Sequence, residues 1–396
     1  MRQTPLHRVM LATYYALVTP RNMQMPIWIG HPGGGKSESA KHIARALGVK
    51  PEHYDAWSTP QHEIEDYNGW KVPMNGRLVT TMDDRLLRLV EATRRGEPAF
   101  LLLDELGDLP QSKQAGALRF ISERVQGADS FADVMMMGAM NPASTGTDSQ
   151  EMRMAFANRG TFLHFPKFTP EQSAEYMLRG RQPEQYEFAK LDAARWEASD
   201  APRAAAIYKH FILAMPDALY EDPESDQVRQ RAPLVYCTPR SLTATVGFLA
   251  TCLHFNDLAA FADLAVGTIG HERGMEFAAQ AENLDLMDPE VFIADPDMLT
   301  PDPRRPDRTF AQLDAITAAA CRPAVAKAER LARWNAGWKC IDRVLECDGD
   351  ESLCLLSAQY LSRNKPNGAL LQDVVATIQR IKPLLTAAGL DIRDNA

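Results

Sequence analysis

The 396-residue chain has no CxxC pair, no internal repeat, no low-complexity tract and no surplus of positive charge. Each absence excludes something. Six cysteines, Cys237, Cys252, Cys321, Cys340, Cys347 and Cys354, all fall in the C-terminal half without the paired spacing of a zinc ribbon or a redox motif. They read as reduced, mostly buried thiols of a cytoplasmic protein. Cys340, Cys347 and Cys354 recur every seventh residue, but the intervening stretch Asp348 to Ser352 (DGDES) interrupts a continuous helix, so the interval implies no metal face. Acidic residues number 52 against 43 basic ones, a net charge of -9, and no global basic field is there to hold nucleic acid. No apolar run approaches the roughly 18 residues that a membrane span needs. The N-terminal stretch resembles a signal peptide only in having Arg2, His7 and Arg8 ahead of a short apolar run, because Tyr14 and Tyr15 interrupt that run. An amphipathic helix that packs within the folded protein, and a soluble protein with no membrane partner, are the expectations.

What the chain does contain is the stretch IWIGHPGGGKSESAKHI, from Ile27 to Ile43. The spacing Gly30-x-x-x-x-Gly35-Lys36-Ser37 is the P-loop pattern. Gly30, His31, Pro32, Gly33, Gly34 and Gly35 would curl backbone N–H groups around phosphate oxygens. Lys36 would reach the terminal phosphates, Ser37 would ligate Mg²⁺, and Glu38 follows in the first turn. The flanks suit this chemistry: Met25 to Ile29 reads as a buried strand, and Ser37 to Leu47 as a helix whose N-terminus favours an anion.

ATP chemistry also needs a carboxylate near the metal and a group that orients water. The apolar run Ala99 to Glu105 (AFLLLDE) reads as a buried strand that delivers Asp104, for the Mg²⁺ shell, and Glu105, to polarise water, at its C-terminal end. A further strand, Val134 to Pro142, ends at Asn141, whose amide could meet both a phosphate and the attacking water. Arg153 and Arg159 precede the strand Thr161 to Phe165, and a guanidinium suits charge building on a transferring phosphoryl group. Between these strands, Ser112 to Val125 has helical spacing, with Ser112 as its expected cap.

The ordered series GHPGGGKS, LLLDE, MNP, FANRG and TPRS resembles AAA+ ATPases, most closely the MoxR-like group that includes CbbQ/NorQ-type proteins. The resemblance covers about residues 1–260. It implies Walker A at Gly30 to Ser37, Walker B at Asp104 and Glu105, sensor 1 at Asn141, an arginine finger at Arg159 and sensor 2 at Arg240. The chain departs from the family in having Gly160 after Arg159, where Phe is usual, and Gly107-Asp108 where Asn-Arg is usual.

The fold class expected is α/β: a P-loop NTPase core with a parallel sheet over 1–168, an α-helical lid over 169–290 and a helical C-terminal extension over 291–396. Thr169 to Gly180 reads as a capped helix with a glycine stop, Thr238 to Phe255 as a longer one, and Ala294 to Phe310 as loop or extended chain. Trp334 and Trp338, four apart, read as a buried contact between helices rather than a base-stacking platform. The resemblance further implies ATP and Mg²⁺ as cofactors, a homo-oligomeric ring of six subunits, and a protein client, in this family often one with a von Willebrand factor A domain. The alternative is a nucleic-acid motor or loader, for example of a mobile element, since Met74 to Glu97 carries five arginines.

Overall fold

The computed structural model describes residues 5–142, 152–179, 187–230, 235–322, 326–347, 351–369 and 374–387. The chain divides into two compact units, each assembled from several stretches.

The first unit comprises Met1–Lys190, Asp217–Phe248 and Ala259–Met275. Its strands, in chain order, are β1 (Met25–Ile29), β2 (Tyr54–Ser58), β3 (Trp70–Met74), β4 (Arg77–Thr81), β5 (Phe100–Asp104), β6 (Val125–Gln126), β7 (Asp129–Ser130), β8 (Met135–Met140) and β9 (Gly160–His164). Five of them form one parallel sheet in the order β2-β5-β8-β1-β9. The parallel sheet expected from the apolar runs is therefore present, and a helical region follows it, as the fold class required. The other four strands make two antiparallel hairpins, β3 with β4 and β6 with β7.

Parallel strands covered on both faces bury nearly every side chain, which is why β1, β5 and β8 read as unbroken apolar runs. Ile27, Leu101, Leu103 and Met136 are fully or almost fully buried with Leu89, Phe120 and Phe162 in one core cluster. The first helix, Pro5–Val18, packs on β1, and the Trp28 indole N–H donates to Thr13 Oγ1 at 2.7 Å.

Several local expectations need adjustment. β2 was not foreseen. The helix expected from Ser112 runs Gln111–Glu123 with Pro110 at its cap position, so Ser112 lies inside it and caps nothing. It ends on Arg124, whose φ of 54° is left-handed. The glycine stop expected at Gly180 lies outside the described residues, after a helix at Pro170–Arg179. In the stretch expected to be extended, a helix already begins at Pro306, because proline at the first helical position loses no hydrogen bond that the helix could have made.

The second unit, Leu191–Pro216, Leu249–Leu258 and Glu276–Ala396, has helices and no strand among its described residues. Leu313, Ile316, Trp338, Ile341, Val344, Ala358 and Leu361 form its core. Trp334 and Trp338 meet edge to face, with centroids 5.8 Å apart, and both are buried, so the aromatic pair is a packing contact. The six cysteines are free: Cys237, Cys252, Cys340 and Cys354 are buried, Cys321 is half-buried and Cys347 is exposed. Among the described residues no cluster of His, Cys, Asp and Glu could hold a metal, and no helix is long and apolar enough to cross a membrane.

Candidate nucleotide-binding site

The register of the sheet sets the site. Ser58 pairs with Asp104, Leu103 with Gly138, and Ile29 with Met140, so the C-terminal ends of β2, β5, β8 and β1 finish along one edge. The residues that follow these ends are Thr59, Glu105, Asn141 and Gly30. Open parallel sheets present their ligand sites at this edge.

The loop after β1 turns tightly enough to need its glycines at two places. A Cβ on Gly30 would come within 2.9 Å of the Phe165 Cβ, and Gly35, with φ 79°, holds the left-handed position from which the helix Lys36–Ala46 starts. The first N–H groups of that helix have no intrahelical acceptor, so this end carries partial positive charge. A cleft of about 400 Å³ opens here, lined by Pro32 through Glu38 together with Asp104, Glu105, Met140 and Asn141.

Lys36 is the centre of the arrangement. It is only 8% exposed. Its Nζ donates to the Gly30 carbonyl at 2.7 Å, the His31 carbonyl at 3.0 Å and Asn141 Oδ1 at 3.0 Å. All three acceptors are neutral, and no ion pair involves Lys36 among the described residues. Burial holds the Lys36 pKa below the usual lysine value, with the Asp104 carboxylate acting in the opposite sense. Burying an ammonium costs free energy, and an anion in the cleft would offset that cost better than neutral oxygens do.

The carboxylates are positioned by their neighbours. Ser37 Oγ donates to Asp104 Oδ2 at 2.6 Å, and the Glu105 N–H donates to Asp104 Oδ1 at 2.9 Å. Glu105 itself sits at φ 56°, a left-handed position that costs a side-chain-bearing residue energy and turns its carboxylate out at the strand end. That carboxylate accepts a hydrogen bond from Ser58 Oγ, and the Glu105 carbonyl accepts one from Thr59 Oγ1 at 3.0 Å. Ser37 and Asp104 offer adjacent hard oxygen donors, the set that suits Mg²⁺. Glu38 lines the cleft and pairs with Lys41 at 3.2 Å on its own helix.

The sheet thus brings together Lys36, Ser37, Asp104, Glu105 and Asn141. It does not bring Arg159 or Arg240 to them, since neither lines the cleft. Arg159 is half-buried, its Nη1 donates to the Ala155 carbonyl, and its pKa is lowered first by burial and then by the charge of Arg240. Arg240 is exposed near the start of the helix Pro239–His254. Arg153 is exposed too, its backbone N–H donating to Gln114 Oε1 at 2.8 Å. Gly160 has a steric reason: a Cβ there would lie 2.5 Å from Ile27 Cδ1. The sequence reading missed Ser58 and Thr59, because it missed β2. Its two buried positions are Asp55 and Trp57, with Ala56 exposed between them, so YDAWS shows no apolar alternation to mark it.

No family model matches the chain, and no curated protein matches it in sequence. Among solved structures, it is similar to a candidate ATPase from Cytophaga hutchinsonii at 14% identity and a TM-score of 0.35, over 69% of this chain and 82% of that one. A full-length MCM homolog from Methanopyrus kandleri gives the same identity and TM-score over 69% of this chain and 53% of its own. NtrX from Brucella abortus gives 14% identity and a TM-score of 0.28, over 92% of this chain and 69% of its own. At these scores the likenesses say nothing of activity or partner, which rest on the site itself.

Proposed function

We propose that the chain is a Mg-ATP-dependent ATPase of the AAA+ type, in its MoxR-like group, that works as a homo-oligomeric ring on a protein partner. The observation that carries this reading is the buried Lys36 ammonium, held by neutral oxygens alone at a helix N-terminus and opening on a cleft flanked by Asp104 and Glu105.

In this reading Gly30 through Lys36 bind the phosphates, with Lys36 exchanging its neutral acceptors for phosphate oxygens. Ser37 and Asp104 would hold the divalent cation, which when bound would offset charge on the phosphoryl group. Glu105 polarises the attacking water, and Asn141 orients it. Arg159 lies outside its own cleft, which suits a guanidinium donated to the cleft of a neighbouring copy. Arg240 would report the nucleotide state from a helical lid over residues 169–290. The ring would be a hexamer, its client a protein such as one with a von Willebrand factor A domain, and its setting the cytoplasm.

The alternative, a nucleic-acid motor, drew on five arginines between Met74 and Glu97. Two of these, Arg85 and Arg88, are bound to Asp55, and Arg95 is paired with Glu97 at 3.1 Å. Fewer charges are therefore left for phosphates. Salt-sensitive stimulation of ATP turnover by DNA would favour the motor. Glu105→Gln tests the main reading: it should retain ATP affinity while turnover stops. Normal turnover in that variant would place the water-polarising group elsewhere.

A further inference from the structure

The β3–β4 hairpin leaves its apolar side chains in water. Every residue of β3 is exposed, as are Arg77, Leu78 and Val79 of β4. Leu78 is 71% exposed, Met74 52% and Trp70 51%. Large apolar side chains gathered on so short a segment mark a surface that meets something else.

The hairpin is nevertheless held in one register. Asn75 and Gly76 at its tip have φ 50° and 75°, the left-handed pair of a two-residue turn whose twist matches that of the strands. At its root the Trp70 indole N–H donates to Asp66 Oδ1 at 3.1 Å, and Thr81 Oγ1 donates to the Trp70 carbonyl at 3.2 Å. A turn of this kind makes Met74 and Arg77 a hydrogen-bonded pair, so by alternation the next pair, Pro73 and Leu78, turns its backbone polar groups away from the hairpin. On the β3 side Pro73 has no N–H to offer, which blunts that edge. On the β4 side the N–H and carbonyl of Leu78 face outward, and no strand pairs with them among the described residues.

The charge of the hairpin is opposite to that of the chain. Trp70 to Thr81 carry Lys71 and Arg77 and no carboxylate, whereas the whole chain has a net charge of -9. Both cations are exposed, and neither makes an ion pair among the described residues. An acidic segment is therefore attracted to this place although the chain as a whole repels it.

We propose that the outer edge of β4 takes an extended, acidic segment of a partner polypeptide as a third strand. Its backbone pairs with Leu78, its carboxylates lie on the face of Arg77, and its alternate, apolar side chains cover Leu78 and Pro73 on the other face. Backbone pairing supplies the affinity and the alternating side chains supply the selectivity, as in other strand additions. A preformed edge also spares the partner the cost of ordering the receptor. The inference deepens the protein-partner part of the proposed function and rests on that part alone.

The test is fluorescence anisotropy with a labelled, end-blocked short peptide that alternates glutamate and valine, added to the full chain without nucleotide at low salt. The peptide should bind saturably. Its counterpart with lysine in place of glutamate should not, and methylation of its backbone nitrogens along one edge should abolish binding. Arg77→Glu should weaken binding by about fivefold, the scale of an exposed ion pair. Leu78→Pro should abolish it by removing the outward N–H, as Pro73 does across the hairpin, with circular dichroism to check the fold. No saturable binding, equal binding of the lysine or the methylated peptide, or wild-type affinity in folded Arg77→Glu would each overturn the proposal. Tighter binding of oligothymidylate, lost in Arg77→Glu, would assign the edge to nucleic acid, and a changed sedimentation coefficient of Arg77→Glu without peptide would assign it to a second copy; either result also overturns it. If Leu78→Pro fails to fold, the methylated peptide still decides. With no nucleotide present, failure here leaves the ATP site to its own test, Glu105→Gln.

Discussion

The Lys36 ammonium donates to the Asn141 amide oxygen across 3.0 Å, joining the start of one helix to the end of β8 over 105 residues of sequence. That acceptor is neutral, so it does not compensate the Lys36 charge. Asn141→Asp would place a carboxylate at this distance and neutralise the cation in place. ATP affinity should then fall by about tenfold or more, as measured by calorimetry. Unchanged affinity would mean that Lys36 does not meet the nucleotide.

The hydrogen bond from Ser58 to the Glu105 carboxylate restrains the group assigned to polarise water. Ser58→Ala removes the donor and leaves the phosphate cradle untouched. Basal turnover should rise by up to about tenfold with ATP affinity unchanged, within the range of a hydrogen bond to a charged group. A fall in turnover would show instead that Ser58 holds Glu105 in its working position.

Gly160 pairs with Met25 at the beginning of β9, against the Ile27 side chain. Gly160→Ala inserts a methyl group where Ile27 Cδ1 is 2.5 Å away. Overpacking of this kind costs about 1–3 kcal/mol, to be read as a lower denaturation midpoint. Wild-type stability would mean that Ile27 has room to turn aside.

Arg159 and Glu105 belong to different clefts in the proposed ring, so each single variant should be inactive. Mixed subunits of Arg159→Ala and Glu105→Gln would form some interfaces with both groups intact. ATP turnover should reappear on mixing. If it never does, Arg159 does not act across a subunit boundary.

The strands that carry the phosphate loop, Asp104 and Asn141 were legible because each is an apolar run buried on both faces. β2 was not legible, since it contains Asp55, a charge that looks foreign to a core strand. The structure shows why the charge is tolerated: Asp55 is held by Arg85, 30 residues away, and by Arg88, at 3.2 Å. A pairing at that separation leaves no local signal. Ser58 and Thr59 went unnoticed with the strand that carries them. The P-loop residues were legible because their spacing is local. The locations of Arg159 and Arg240 depend on how distant segments fold together, and sequence order alone did not reveal that the two lie near enough to disturb one another.

The assignment of buried Lys36 as the cation that meets the phosphate carries the proposed function. Its most direct test is the binding of Mg-ATP to the wild-type chain and to Lys36→Ala, measured by calorimetry on folded protein. The account predicts saturable binding to the wild type and its loss in the variant. Equal affinity in the two proteins would contradict it.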